Sequence, residues 1–131
     1  MRFRYFIRDE SGAAAVEFGL TSPIYIFVLF GVFQISIWLW TDFALHRGVE
    51  AAARCAAVTP SICNTDTATK QFASKQSYGM NVPTSAFTVS KTTCGTTVGY
   101  KVSGTYAAFD FTKGLGMSAF TASASACYPA T

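Results

Sequence analysis

Between residues 18 and 40 the chain carries no Asp, Glu, Lys, Arg or His. At about 1.5 Å per residue this stretch forms a helix of about 34 Å, enough to cross a hydrocarbon core of about 30 Å. Trp38, Trp40 and Phe43 stand at its far end, where aromatic rings favour the membrane–water boundary. Gly19, Pro23 and Gly31 do not forbid this helix, because membrane helices tolerate both residue types. Pro23 is expected to kink or locally melt it.

From residue 41 to 58 the pattern changes. Asp42, His46, Arg47, Glu50 and Arg54 are interleaved with Phe43, Ala44, Leu45, Val49, Ala51–Ala53 and Ala56. Apolar residues recur at three- and four-residue steps, as on an amphipathic helix. Glu50 and Arg54 stand i,i+4 in the favourable order. With no breaker between the two patterns, one long helix is predicted over 13–58, ended by Thr59-Pro60-Ser61.

The remainder alternates differently. Thr65 or Asp66 can cap a short helix reaching Tyr78, with Gly79 as its stop and Phe72 with Ala68 or Gln76 on its inner face. Three segments then follow period two: 85–91 with Phe87 and Val89, 97–106 with Val98, Tyr100, Val102 and Tyr106, and 120–126 with Phe120, Ala122, Ala124 and Ala126. Cys94-Gly95 and Lys113-Gly114-Leu115-Gly116 are the connecting turns. The expected fold is α+β. A long transmembrane helix extends into the periplasm and covers a small antiparallel sheet of three strands, with one short helix beside it. Three regions follow: a basic head over 1–12, the long helix over 13–58 and a small domain over 59–131.

Arg2, Arg4 and Arg8 precede the span, while Asp9 and Glu10 count little for orientation. The N-terminus is therefore expected in the cytoplasm and the C-terminal domain on the exported side. A cleaved secretory signal competes with this reading, but its apolar core would be only about 7–15 residues long. It would also not begin beside a carboxylate, as this run does at Glu17.

Net charge is +3, and Lys70, Lys75, Lys91, Lys101 and Lys113 form no run, so nucleic-acid binding is not indicated. His46 is the single histidine and lacks a nucleophile partner in sequence, while Asp66 and Asp110 are lone carboxylates in capping or turn positions. No phosphate-binding or dinucleotide motif occurs, so no enzyme and no cofactor is expected. All four cysteines, Cys55, Cys63, Cys94 and Cys127, follow the span and reach an oxidising compartment. Three pairings are possible. Cys55–Cys63 and Cys94–Cys127 are favoured, because each joins neighbours in the topology just drawn. A zinc site is disfavoured because no close Cys pair exists.

Gly12-Ala13-Ala14-Ala15-Val16-Glu17-Phe18, abutting an apolar span after a basic head, resembles the processing site of type IV pilin-like proteins. A glycine five residues before a glutamate is a weak signal by itself; beside a span it is strong. The wording Arg-Asp-Glu-Ser-Gly-Ala-Ala-Ala-Val-Glu-Phe with Pro23, Ala-Ala-Ala-Arg-Cys-Ala-Ala at 51–57 and Ala126-Cys127-Tyr128-Pro129 resemble the TadE-like family, pseudopilins of the tight-adherence (Flp pilus) system. The resemblance implies cleavage between Gly12 and Ala13 by an inner-membrane prepilin peptidase. It also implies assembly roles for Glu17 and Phe18, where related pilins carry Tyr at the second position. Its implied partners are membrane lipid and other pilins or pseudopilins in a hetero-oligomer, in the bacterial inner membrane. In such a bundle the Glu17 carboxylate would pair with the new Ala13 amine, between subunits or within one chain, offsetting the burial of either. Snorkelling of Glu17 to the headgroups competes with that role, as a plain unprocessed anchor with a periplasmic binding domain competes with the pseudopilin.

Overall fold

The computed structural model describes residues 10–107 and 121–130. In chain order they form helix α1 (Glu10–Val58), helix α2 (Asp66–Lys75), a 3-10 turn (Thr84–Ala86) and strands β1 (Phe87–Cys94), β2 (Thr97–Ala107) and β3 (Thr121–Pro129). The strands make one antiparallel sheet in the order β1-β2-β3. The architecture is α+β. Two units are distinguished, with the boundary between Ile35 and Ser36 inside α1. The heads of the arginine cluster, Asp110, the 113–116 turn and Phe120 lie outside the described residues.

α1 begins at Glu10, three residues before the expected start at Ala13. Nothing in Glu10-Ser11-Gly12 prevents helical hydrogen bonding from extending over them. The helix runs through Pro23 without a break. It closes as Thr59 donates its N–H to the Cys55 carbonyl at 2.9 Å, and Pro60 bars another turn.

α2 is capped by Thr65, whose hydroxyl accepts the Ala68 N–H at 3.1 Å, with Asp66 favourably placed in the first turn. It stops at Lys75, short of Tyr78, because Tyr78 and Gly79 both take positive φ, 34° and 74°. A reversal of that kind suits glycine and strains tyrosine. The inner face also differs from the expected one. Thr69, Ala73 and Ser77 are buried, while Ala68, Phe72 and Gln76 are half-buried. The cause is close approach to α1: a Cβ on Gly48 would stand 2.6 Å from Ser77 Oγ and 2.9 Å from the Ala73 carbonyl. Only small residues fit between such backbones, so Phe72 is displaced sideways towards a second cluster with Cys55, Ala56 and Cys63.

The core of the second unit is made where Leu45, Val49 and Ala52 of α1 meet Phe87, Val102, Ala122 and Ala124 of the sheet. Phe87 pairs with Gly104 across β1 and β2. A Cβ on Gly104 would lie 3.0 Å from both Leu45 and the Phe87 ring, so the glycine makes room for the aromatic side chain. The inner face of β2 runs Tyr100, Val102, Gly104, Tyr106 as the alternation predicts. Val98 has the right parity but is 53% exposed, because it sits at the hairpin end beside Gly95, beyond the packed set.

Cys55–Cys63 ties the last turns of α1 to the loop before α2. Cys94–Cys127 joins β1 to β3 although β2 lies between them, with the two Cα atoms 5.7 Å apart. The flanking strands close over Gly99: a Cβ there would collide with the Tyr128 carbonyl and lie 2.8 Å from Cys94 Sγ. Gly99→Val is therefore expected to prevent this bridge. Peptide mapping of the detergent-solubilised variant should find free thiols at Cys94 and Cys127 with Cys55–Cys63 intact. Losing a bond that spans 33 residues lowers unfolding stability by about 3–4 kcal/mol in the chain-entropy account, read by denaturant titration.

Candidate processing and assembly segment

Gly12 lies within α1. Glycine is the residue that holds a helix least well after proline, by about 1 kcal/mol relative to alanine. The Gly12–Ala13 peptide bond is helical, at a residue that favours the helix weakly. No packing reason for Gly12 exists within the described chain: a Cβ there meets nothing within 4 Å. Gly19 and Gly31 are equally open. By contrast, Gly48, Gly99 and Gly104 are demanded by close neighbours.

Ala13 and Glu17 are one turn apart on the same side of α1, and both are exposed, as is Phe18. Helical rise puts their Cα atoms about 6 Å apart along the axis. An amine freed at Ala13 would therefore stand over the Glu17 carboxylate of its own chain or be offered to a neighbour. One turn further, the Thr21 hydroxyl donates to the Glu17 carbonyl at 2.9 Å.

Beyond this point the helix leaves its apolar side chains bare. Phe18, Leu20, Ile24, Phe27, Val32 and Leu39 are all at least half exposed, Phe27 at 80%. A helix apolar on every side is stable only in a non-aqueous surround or against other helices. Among the described residues, α1 is the one helix long and apolar enough to cross a membrane.

Residues 12–54 match the family model described as TadE-like protein. This segment is TadE-like. The match begins at Gly12 and takes in Ala13, Glu17, Phe18, the whole apolar run and most of the packed part of α1. A single helix of sufficient length and apolarity near the N-terminus suits a membrane anchor. The sheet and all four cysteines lie outside the match. No curated protein matches the chain, and no solved structure does.

The other singled-out groups are not drawn together. His46 and Asp42 stand 3.8 Å apart on adjacent turns, both exposed, and Arg47 lies over the Phe43 ring at 5.5 Å. Glu50 and Arg54 form no ion pair among the described residues despite their spacing. Such surface pairs contribute little in any case. No three His, Cys, Asp or Glu residues among those described are placed to hold a metal ion. Gly48, Gly99 and Gly104 were not anticipated as determinants. A glycine inside an alternating strand is a recognisable signal of close backbone approach and would have flagged the last two.

The bare span gives a direct test. Phe27→Lys puts a charge at mid-span, which costs about 2.5–3.5 kcal/mol of insertion. The variant is expected to shift from the pellet to the supernatant on alkaline carbonate extraction of membranes, whereas Phe27→Leu stays with the pellet.

Proposed function

We propose that the protein is a minor pseudopilin of a Flp-type tight-adherence pilus, a structural subunit rather than an enzyme. It is anchored in the bacterial inner membrane with its N-terminus cytoplasmic and its disulfide-bonded domain periplasmic. A prepilin peptidase removes residues 1–12, and the processed helix joins other pilins or pseudopilins in a hetero-oligomer that assists pilus assembly or surface adherence. The observation that carries this reading is Gly12, a glycine that no contact among the described residues requires, five residues before Glu17 and just before the exposed apolar run of α1.

Opposite charges in a low-dielectric helix bundle supply the assembly step. The Ala13 ammonium and the Glu17 carboxylate each resist burial alone, and together they offset it. Phe18, 73% exposed next to Glu17, supplies apolar area to the same contact. The competing reading, an unprocessed anchor carrying a binding domain, is favoured by the helical state of the Gly12–Ala13 bond.

Mass determination of the membrane-extracted N-terminus, in cells that carry the cognate peptidase, separates the two. The mature chain is expected to begin at Ala13, and Gly12→Glu is expected to retain the full head. A wild-type chain still beginning at Met1 rejects processing.

Glu17→Gln keeps size and hydrogen bonding but removes the charge. It is expected to be cleaved and inserted normally, yet to lose crosslinking to neighbouring pilus subunits, since breaking a buried pair costs about 3–5 kcal/mol. Wild-type crosslinking yields in the cleaved Gln variant would leave Glu17 as a snorkelling residue.

A further inference from the structure

The open edge of the sheet carries an inference that depends neither on processing nor on pilus membership. The Ala130 N–H donates to the Val98 carbonyl at 3.0 Å. With the β2–β3 register, this makes residues 122, 124, 126 and 128 the ones that exchange hydrogen bonds with β2. Ser123, Ser125 and Cys127 consequently turn their N–H and C=O groups away from the sheet, and no described residue pairs with them. Edges of this kind are usually guarded by charge, proline or a bulge. β1, the other edge, carries Lys91 and lies against α2. β3 has no charged residue, and its one proline, Pro129, comes at the very end.

Beside this edge lies a groove of about 920 Å³ bordered by β3, α1 and the end of α2. It exists because the inner side chains of β3 are alanines, too small to fill the space beneath the helix. Its far wall presents Arg47, Glu50 and Arg54, one stripe along α1, with Ile62 and Tyr128 at its margins. The excess of charge is positive, and Arg54 has no ion pair among the described residues. Lipid phosphate does not account for Arg54: it lies 14 residues past Trp40, about 21 Å of helix, whereas a headgroup layer is only about 5–7 Å deep.

We propose that the β3 edge and the Arg47–Arg54 stripe receive an extended acidic segment of a partner protein, added as a fourth strand. Its main chain would bond to Ser123, Ser125 and Cys127, as in β-augmentation, and its carboxylate would face Arg54 across the groove. Backbone bonding supplies affinity, and the arginine supplies the choice of an acidic sequence.

The test uses the full chain in neutral detergent micelles and a fluorescent probe peptide of about nine residues, alternating threonine and valine around one central glutamate. Saturable binding is expected, about tenfold weaker when the glutamate is replaced by lysine. Arg54→Glu should reverse that preference while leaving the fold unchanged by circular dichroism. N-methylation of alternate peptide nitrogens should abolish binding, and the unmethylated probe should slow amide exchange at Ser123, Ser125 and Cys127. Absence of saturable binding overturns the proposal, as does equal affinity for both peptides. Displacement of the probe by phosphatidylglycerol, but not by phosphatidylcholine, would assign the arginines to lipid and overturn it too.

Discussion

Leu45 packs against Phe87 over Gly104, and the second unit is organised around that contact. A sheet of only three strands cannot bury two faces, and a small domain has little apolar area to spend on a second layer. One face must therefore meet a helix closely, and the helix available is the continuation of the apolar span. Close approach then dictates composition. Glycine or alanine stands wherever backbones converge: Gly48 against Ala73, Gly104 under Leu45, and Ala122 and Ala124 along β3.

The disulfides reinforce the two places where this packing runs out. Cys55–Cys63 secures the end of α1, where the buried stripe stops and the chain turns through Pro60. Cys94–Cys127 draws the two edge strands together at the end of the sheet beyond the reach of the core, where Val98 and Tyr128 are exposed. The same economy leaves something unfilled. Alanines on β3 let the strand approach α1 at some points, yet leave a groove beside it, and the third strand remains an edge.

α1 serves two solvents with two patterns. Its first part is apolar on all sides and exposes those side chains. From Thr41 onwards buried positions recur every three or four residues, and the charges fall on the opposite side. Glu17 is the exception in the first part, and Gly12 is a glycine without a cause among the described residues. Both belong to the TadE-like segment, which covers the span and most of the packed stripe but none of the sheet.

Much of this was legible in the residues because it depends on local periodicity. The charge-free run, the change to an amphipathic stripe after residue 40, and the alternation around Val89, Val102 and Ala124 each repeat often enough to identify an element. The spacing of Gly12 and Glu17 is a pattern along the chain, and it falls inside the TadE-like match. The inner face of α2 was not legible, since Phe72 is the natural apolar anchor until Gly48 brings the helices too close for it. Nor was the end of α2 at Lys75, which the positive φ of Tyr78 imposes. The crossing of Cys94–Cys127 over Gly99, and the groove between β3 and Arg54, likewise arise from residues far apart in sequence. Pattern along the chain decided which elements form and which medium each faces, because those depend on neighbours within a turn or a strand. Only the tertiary structure decided how closely they approach, because that distance is set by the smallest side chain at each crossing.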